Sequence, residues 1–356
     1  MTSLAASSYV IPLTTVRRER LLPLPGRVLS RAGAKVSAKD IVAQSNLAPE
    51  HHLLDVSQGL HVPASKAEKY IERIAGEEVA EGDVIATGPR GLVRRVIRAP
   101  VDGRIVYVRN GKVLLQRQSA AYDLFAGYTG VVQELIPDLG VVIEATGALV
   151  QAIWGNGQVD SGVMQLAVKG PEEALVAGRL DVSLRGAVLL AGYCEQPQVL
   201  QAAAEIPIRG LILGSMAVAL APLAQRMPYP ILLTEGFGKL AMNPAAHQLL
   251  STNVNRDVCV NAEALDRDAG IRPEVFIPLP SQGKAVPPPE SVLYTPGQKV
   301  RIVQSGVGAR SGVFVANLPG LTAFPNGVRA PGGEVRLEDG KRVVIPLANI
   351  EVLGYK

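Results

Sequence analysis

The chain has 356 residues, 47% apolar and 19% charged, with a net charge of +4. That length exceeds one ordinary core and predicts two or three domains, and the charge content excludes a disordered or halophilic chain. With 36 glycines and 26 prolines, many short strands joined by tight turns are expected. Residues 1–120 hold 18 Lys and Arg against 11 Asp and Glu; residues 121–289 hold 10 against 16; residues 290–356 hold 8 against 5. Two basic ends therefore flank an acidic middle, a pattern that suits a polyanion-binding surface or modules with different solvated faces.

The first 20 residues lack a basic segment followed by an apolar core, so no signal peptide is read there. They are expected to form a loose arm. The longest apolar stretch, residues 210–224, holds Ser215 and Pro222 and is shorter than the roughly 20 residues that span a bilayer. No membrane insertion is expected. Cys194 and Cys259 do not form a C-x-x-C pair, which argues against a thiolate zinc site. Reduced, buried thiols in a cytoplasmic protein are expected.

From Leu21 the chain repeats one phrase. Gly33-x-x-Val36 precedes Asp40-Ile41-Val42-Ala43, and Gly76-x-x-Val79 precedes Gly82-Asp83-Val84-Ile85-Ala86. Each reads as a strand, a glycine turn and a second strand entering a compact barrel. Pro100-Val-Asp-Gly103 and Asn110-Gly111 follow as turn signals, and a related phrase returns over residues 127–147. These motifs resemble the biotinyl/lipoyl-like barrel-sandwich hybrid, most of all its non-carrier versions in membrane quinone-reductase and electron-transport subunits. The resemblance covers residues 21–120. Carriers place their modified lysine in an A-M-K-M hairpin, and this tetrapeptide is missing. Lys35, Lys39, Lys66 and Lys112 are weak attachment candidates for that reason, and no cofactor is expected.

Residues 121–280 change period. The apolar runs 186–192, 210–214 and 230–234 read as buried strands. Residues 199–205, 216–225 and 244–250 read as helices between and after them. This order implies a small parallel sheet with right-handed crossovers. Ligands bind outside the carboxyl ends of such strands. A ligand-binding candidate there comprises Gly192, Gly214, Ser215, Glu235, Gly236 and Gly238. The alternative is that the glycines serve the turns. Glu235 is the one acidic group at that edge, and acid–base chemistry usually needs a partner. Trp154, the single tryptophan, is expected to pack rather than stack on a ligand. His51, His52 and His61 match no metal-ligand spacing. No P-loop and no nucleophile elbow beside His247 is found. The chain reads more as a binding protein than as an enzyme.

Residues 281–291 hold three consecutive prolines and read as a stiff linker. Residues 292–356 form the last module. Gly297-x-x-Val300-x-Ile302, Gly308-Ala-Arg-Ser-Gly312-x-Phe314-Val315 and Val343-Val-Ile-Pro346-x-x-Asn349-Ile-Glu351 carry a resemblance to the KOW motif of an SH3-like barrel. Such barrels occur in bacterial elongation factors and ribosomal proteins. The fold class read from the whole chain is multidomain α+β and β-rich: a barrel-sandwich hybrid, a small parallel α/β domain and a C-terminal SH3-like barrel.

The densest charge feature is Arg90 to Arg117, with eight basic residues against Asp102 alone. Arg94, Arg95, Arg98, Arg104 and Arg109, with Lys299, Arg301, Arg310 and Arg342 of the last module, are candidates for contacts to phosphates. The alternative is a solvated barrel face. Three functions are weighed: a non-catalytic protein that binds RNA, DNA or a ribonucleoprotein; an adaptor that joins proteins; and a small-ligand protein with its site at the strand ends.

Overall fold

The structure is a computed structural model that describes residues 4–46, 50–89, 95–117, 121–266, 270–280, 285–289, 292–303 and 310–355. It is β-rich, with several sheets and short helices. Among the described residues no helix is long and apolar enough to cross a membrane.

Strand β1 (Leu4–Leu21) opens the chain. A first lobe begins with β2 (Arg27–Val28), β3 (Lys35–Val36) and β4 (Ile41–Asn46). A second lobe follows: β5 (His51–Asp55), α1 (Val56–Leu60), α2 (Ala64–Ala67), β6 (Glu78–Val79), β7 (Val84–Thr87), β8 (Val96–Arg98), β9 (Gly103–Arg109) and β10 (Lys112–Arg117). The chain then returns to the first lobe. β11 (Ala121–Phe125) pairs with β4, and β12 (Gly130–Ile136) pairs with β3 and with β13 (Gly140–Gln151). The second lobe is thus inserted between β4 and β11. This moves the expected boundary at residue 120, because the apolar residues Leu124, Ala126, Tyr128 and Val132 complete a core with Val36, Val42 and Ala43.

The two lobes repeat one backbone pattern. Gly33 donates its N–H to the Val132 carbonyl (2.7 Å), and Gly76 donates to the Ile105 carbonyl (2.6 Å). Asp40 accepts the Ser37 N–H (2.8 Å), and Asp83 accepts the Ala80 N–H (3.1 Å). Gly103 and Gly130 also correspond. A Cβ on either would stand 2.3 Å from a facing carbonyl oxygen, that of Gln116 or of Glu144. Alanine at either position is expected to cost about 1–3 kcal/mol through overpacking. Denaturant midpoints should show that drop, whereas Gly178→Ala, with open space around its Cβ, should leave the midpoint nearly unchanged.

The expected loose arm over residues 1–20 is corrected by β1. Tyr9, Val10, Ile11 and Val16 are buried, and alternate residues of a strand can serve two different cores. Residues 10–21 pair antiparallel with β13, which also pairs with β12 and, through its second half, with β20 (Glu274–Pro278). β1 and β13 therefore run from the first lobe into the middle unit.

The middle unit contains β14 (Trp154–Gly155), β15 (Val159–Leu166), β16 (Ala187–Cys194), α3 (Pro197–Glu205), β17 (Gly210–Met216), α4 (Ala221–Ala224), β18 (Ile231–Phe237), α5 (Pro244–Ser251) and β19 (Asp257–Asn261) before β20. β15, β16, β17 and β18 are parallel neighbours, and β19 and β20 continue the sheet antiparallel from β15. Leu189 and Leu213 pack with Val199 and Leu200 of α3, whereas Leu190 and Ile212 pack with Ala246 and Leu250 of α5. Both faces of the parallel strands are covered, which is why their sequences are continuously apolar. Trp154 packs edge-on against Phe237 (5.5 Å between ring centroids).

The terminal unit has β21 (Val292–Leu293), β22 (Lys299–Ile302), β23 (Arg310–Ala323), β24 (Arg329–Leu337), β25 (Arg342–Pro346) and β26 (Ile350–Tyr355). Tyr294, Val300, Phe314, Val335 and Val352 form its core. β26 runs parallel to residues 6–10 of β1, joining this unit to the rest of the sheet.

Candidate functional site

The carboxyl ends of β16, β17 and β18 are filled by the chain itself. A Cβ on Gly192 would lie 2.3 Å from the Glu173 carbonyl oxygen, and one on Gly214 would lie 2.6 Å from the Met242 nitrogen. Ser215 Oγ donates to the Leu240 carbonyl and accepts the Leu240 N–H, both at 2.8 Å. Gly236 and Gly238 adopt φ of +93° and +123°, backbone that glycine takes at least cost. A Cβ on Gly236 would also stand 2.6 Å from Ile153 Cδ1. Gly192, Gly214, Ser215 and Gly236 are thus in close contact with segments packed over the strand ends.

Glu235 has the most consequential environment of that group. It is 5% exposed. Its Oε1 accepts from Asn243 Nδ2 (2.7 Å) and from the Asn243 N–H (3.2 Å). Its Oε2 meets the guanidinium of Arg301 (3.2 Å). Arg301 is 1% exposed. It also donates to the Thr234 carbonyl and, through Nε (3.1 Å) and NH2 (2.6 Å), to Glu351. Glu351 takes Arg272 on its other oxygen. Burial alone would raise the Glu351 carboxyl, but Arg301 and Arg272 outweigh burial and hold it below its ordinary value of 4.5. The Arg301 guanidinium is likewise disfavoured by burial, yet Glu351 and Glu235 raise its pKa above the usual arginine value. A phosphate-contacting role for Arg301 is corrected, since its donors are spent inside the protein. A candidate polyanion contact and a candidate ligand contact thus turn out to be one buried ion pair.

No protein-family model matches this chain, and no curated protein is detectably similar to it.

The remaining basic candidates are at the surface. Arg94 lies outside the described residues. Arg95, Arg98, Arg104 and Arg109 are exposed, as are Lys299, Arg310 and Arg342. Arg98 donates to the Gly82 carbonyl (2.7 Å) and Arg104 to the Gly76 carbonyl (3.1 Å), which steadies both without neutralising them. Arg342 faces Glu334 at 3.1 Å.

Strand register brings part of this set together. The second-lobe sheet has the order β5-β10-β9-β6. Directly opposed residues of antiparallel neighbours share a face. Gln116 opposes His51 and Arg104, and Arg104 opposes Glu78. Leu114 opposes Leu53 and Tyr107, while Lys112 opposes Asp55 and Arg109. Val113 and Leu115 point the other way into the core. The outer face therefore carries an apolar row, Leu53–Leu114–Tyr107, between rows that hold Arg104 on one side and Arg109 with Lys112 on the other. Leu53 is 59% exposed and Tyr107 46%. Sequence reasoning found the arginines but missed Tyr107 and Leu53. The bulge between Leu114 and Leu115 breaks simple alternation in β9 and hides Tyr107 from a period-two reading.

The thiols are not part of any surface site. Burial pushes Cys194 and Cys259 up to about 11 each.

Proposed function

We propose that this protein is a non-catalytic binding protein for nucleic acid or a ribonucleoprotein, and that the outer face of the second-lobe sheet takes a single strand. The observation that carries this reading is the register that sets Tyr107 and Leu114 between Arg104 and Arg109 on one exposed face. A base needs an aromatic or apolar platform, and the phosphates on either side need cations; this face offers both. Arg310 and Arg342 of the terminal unit are exposed as well, in keeping with the resemblance of that unit to KOW modules.

Fluorescence anisotropy with a labelled oligonucleotide tests it. Binding should weaken steeply between about 50 and 200 mM salt. Tyr107→Ala should cost about 1–3 kcal/mol, the usual worth of one stacked base. Arg104→Glu with Arg109→Glu should weaken binding and flatten the salt slope. Unchanged affinity in both variants would remove this face from the reading.

A second reading, a protein adaptor, is favoured by one feature of the terminal unit. Among the described residues, the end of the β23–β24 ribbon, residues 321–323 against 329–331, pairs only with itself. It exposes Leu321 (60%) and Val328 (51%), which is apolar surface in a position to meet another protein. Capture of a stable partner by the native chain, lost in a Leu321→Asp, Val328→Asp variant, would support it.

A further inference from the structure

The face of β22 that carries Arg301 also carries Lys299, since residues two apart on a strand point the same way. At Arg301 this face is pressed against the middle unit. At Lys299 it opens into a cleft of about 1010 Å³ between the terminal unit, β1 and the start of α5. This lies at the upper end of the size range of small-molecule sites.

The two walls differ in chemistry. One is a row across three strands: Lys299 opposes Val313, and Val313 opposes Arg336. Opposed residues share a face, so this wall reads cation, apolar, cation. The other wall is apolar, built from Tyr9, Ile11, Pro244 and Ala245. Among the described residues Glu338 is the one acid in the lining, at an exposed position next to Leu337.

Side-chain contacts connect the two walls. Asn243, which lines the cleft, caps α5 through the Ala246 N–H (2.9 Å) and donates to Glu235. Glu235 in turn holds Arg301 of the terminal unit. One chain of contacts, from half-buried Asn243 through buried Glu235 to buried Arg301, therefore links both walls beside the cavity. A preformed cavity spares a ligand the ordering that an open hinge would require.

We propose that this cleft binds a small amphipathic anion: an apolar ring or chain body with a single carboxylate, sulfonate or phosphate. The body lies between Val313 and the Tyr9–Ile11–Pro244 wall. The anionic group meets Arg336. This site is separate from the second-lobe sheet face and stands or falls independently of nucleic-acid binding.

The probe is 8-anilino-1-naphthalenesulfonate, titrated into the full chain and followed by its fluorescence. Saturable binding of one equivalent is expected. Arg336→Glu, at an exposed position, should weaken it at least fivefold, and Val313→Trp should abolish it by filling the cleft. Leu53→Glu, on the exposed apolar row of the second-lobe sheet, should leave it unchanged. Dodecanoate and 2-naphthoate then distinguish an acyl chain from an aromatic ring as the preferred body, and neutral dodecanol should displace the probe poorly. The proposal is overturned if Arg336→Glu leaves binding intact, if Leu53→Glu removes it, if neither carboxylate displaces the probe, or if dodecanol competes as well as dodecanoate. Oligonucleotide binding in the same variants separates this outcome from a failure of the sheet-face reading.

Discussion

Replacing Arg301 with alanine is expected to destabilise the protein by about 3–5 kcal/mol, the usual result of stripping one partner from a buried ion pair. The change leaves Glu235 and Glu351 facing each other's field with no cation between them. Glu351 keeps Arg272, but Glu235 keeps only the amide and backbone N–H of Asn243. The denaturant midpoint measures the loss. The combined variant Arg301→Met, Glu235→Gln, Glu351→Gln should recover most of it, because removing all three charges together leaves no buried ion unpaired. If Arg301→Ala alone unfolds at the native midpoint, the network holds nothing together. Acid should act on the same contacts. Since the folded Glu351 pKa lies below 4.5, its contribution is complete above that pH and is lost as pH falls through the lower folded value. The native chain should therefore lose stability below about pH 4.5 more steeply than the combined variant does.

Glu274→Ala is expected to rival that effect. Glu274 is 1% exposed. Its two oxygens take Arg18 of β1 at 2.7 and 2.8 Å, and Oε1 also accepts the Tyr128 hydroxyl at 2.6 Å. Tyr128 in turn accepts from Asn261 Nδ2 at 3.0 Å. Gln151 Nε2 reaches the other carboxylate oxygen of Glu274 at 3.4 Å, so Arg18, Tyr128 and Gln151 converge on this carboxylate from three separate stretches of chain. Burial pushes the Tyr128 hydroxyl well above its usual pKa, and the Glu274 charge adds to this, so Tyr128 stays protonated and serves as a donor. Losing the carboxylate leaves a buried hydroxyl without its acceptor and Arg18 without its counter-charge, for about 3–5 kcal/mol in all. Glu274→Gln keeps an oxygen for Tyr128 and should cost roughly half as much, in line with the lesser strength of a neutral hydrogen bond. Equal midpoints for the two variants would show that shape, not charge, is what this position requires.

These two clusters mark where reading the sequence stopped. Arg301 stands in Lys-Val-Arg-Ile, and alternation correctly places Val300 and Ile302 on the inner face. The same alternation assigns Arg301 to solvent. Its burial comes from β18, 66 residues away in sequence, and no local pattern records a charge that is covered by a distant element. Glu235 stood out in the sequence as the one acidic group at the strand-end edge. Its partner then proved to be internal. The arm expected over residues 1–20 failed differently. Ser7, Ser8, Thr14 and Thr15 dilute the apolar signal of β1, yet Ser8 and Thr14 are almost fully buried. Thr14 donates to the Val286 carbonyl (2.8 Å) and Ser8 to the Gln151 carbonyl (3.3 Å). Such residues look like loop until the partner strand is known.

By itself the sequence determined what is local. Its glycine-punctuated phrases specified the repeated turns of the two lobes, because a positive φ at Gly33, Gly76 and Gly82 is a property of single residues. Its unbroken apolar runs specified β16, β17 and β18, because a strand covered on both faces tolerates no polar alternation. It also supplied the arginines of the basic stretch. Tertiary structure alone decided which of these charges meet solvent. It paired Arg301 with Glu235, closed the strand ends with loops, carried the chain back from the second lobe into the first, and set Tyr107 between Arg104 and Arg109. Each of those outcomes depends on register or on burial by a remote segment, and both are set by the summed packing of the whole chain rather than by the neighbours of any one residue.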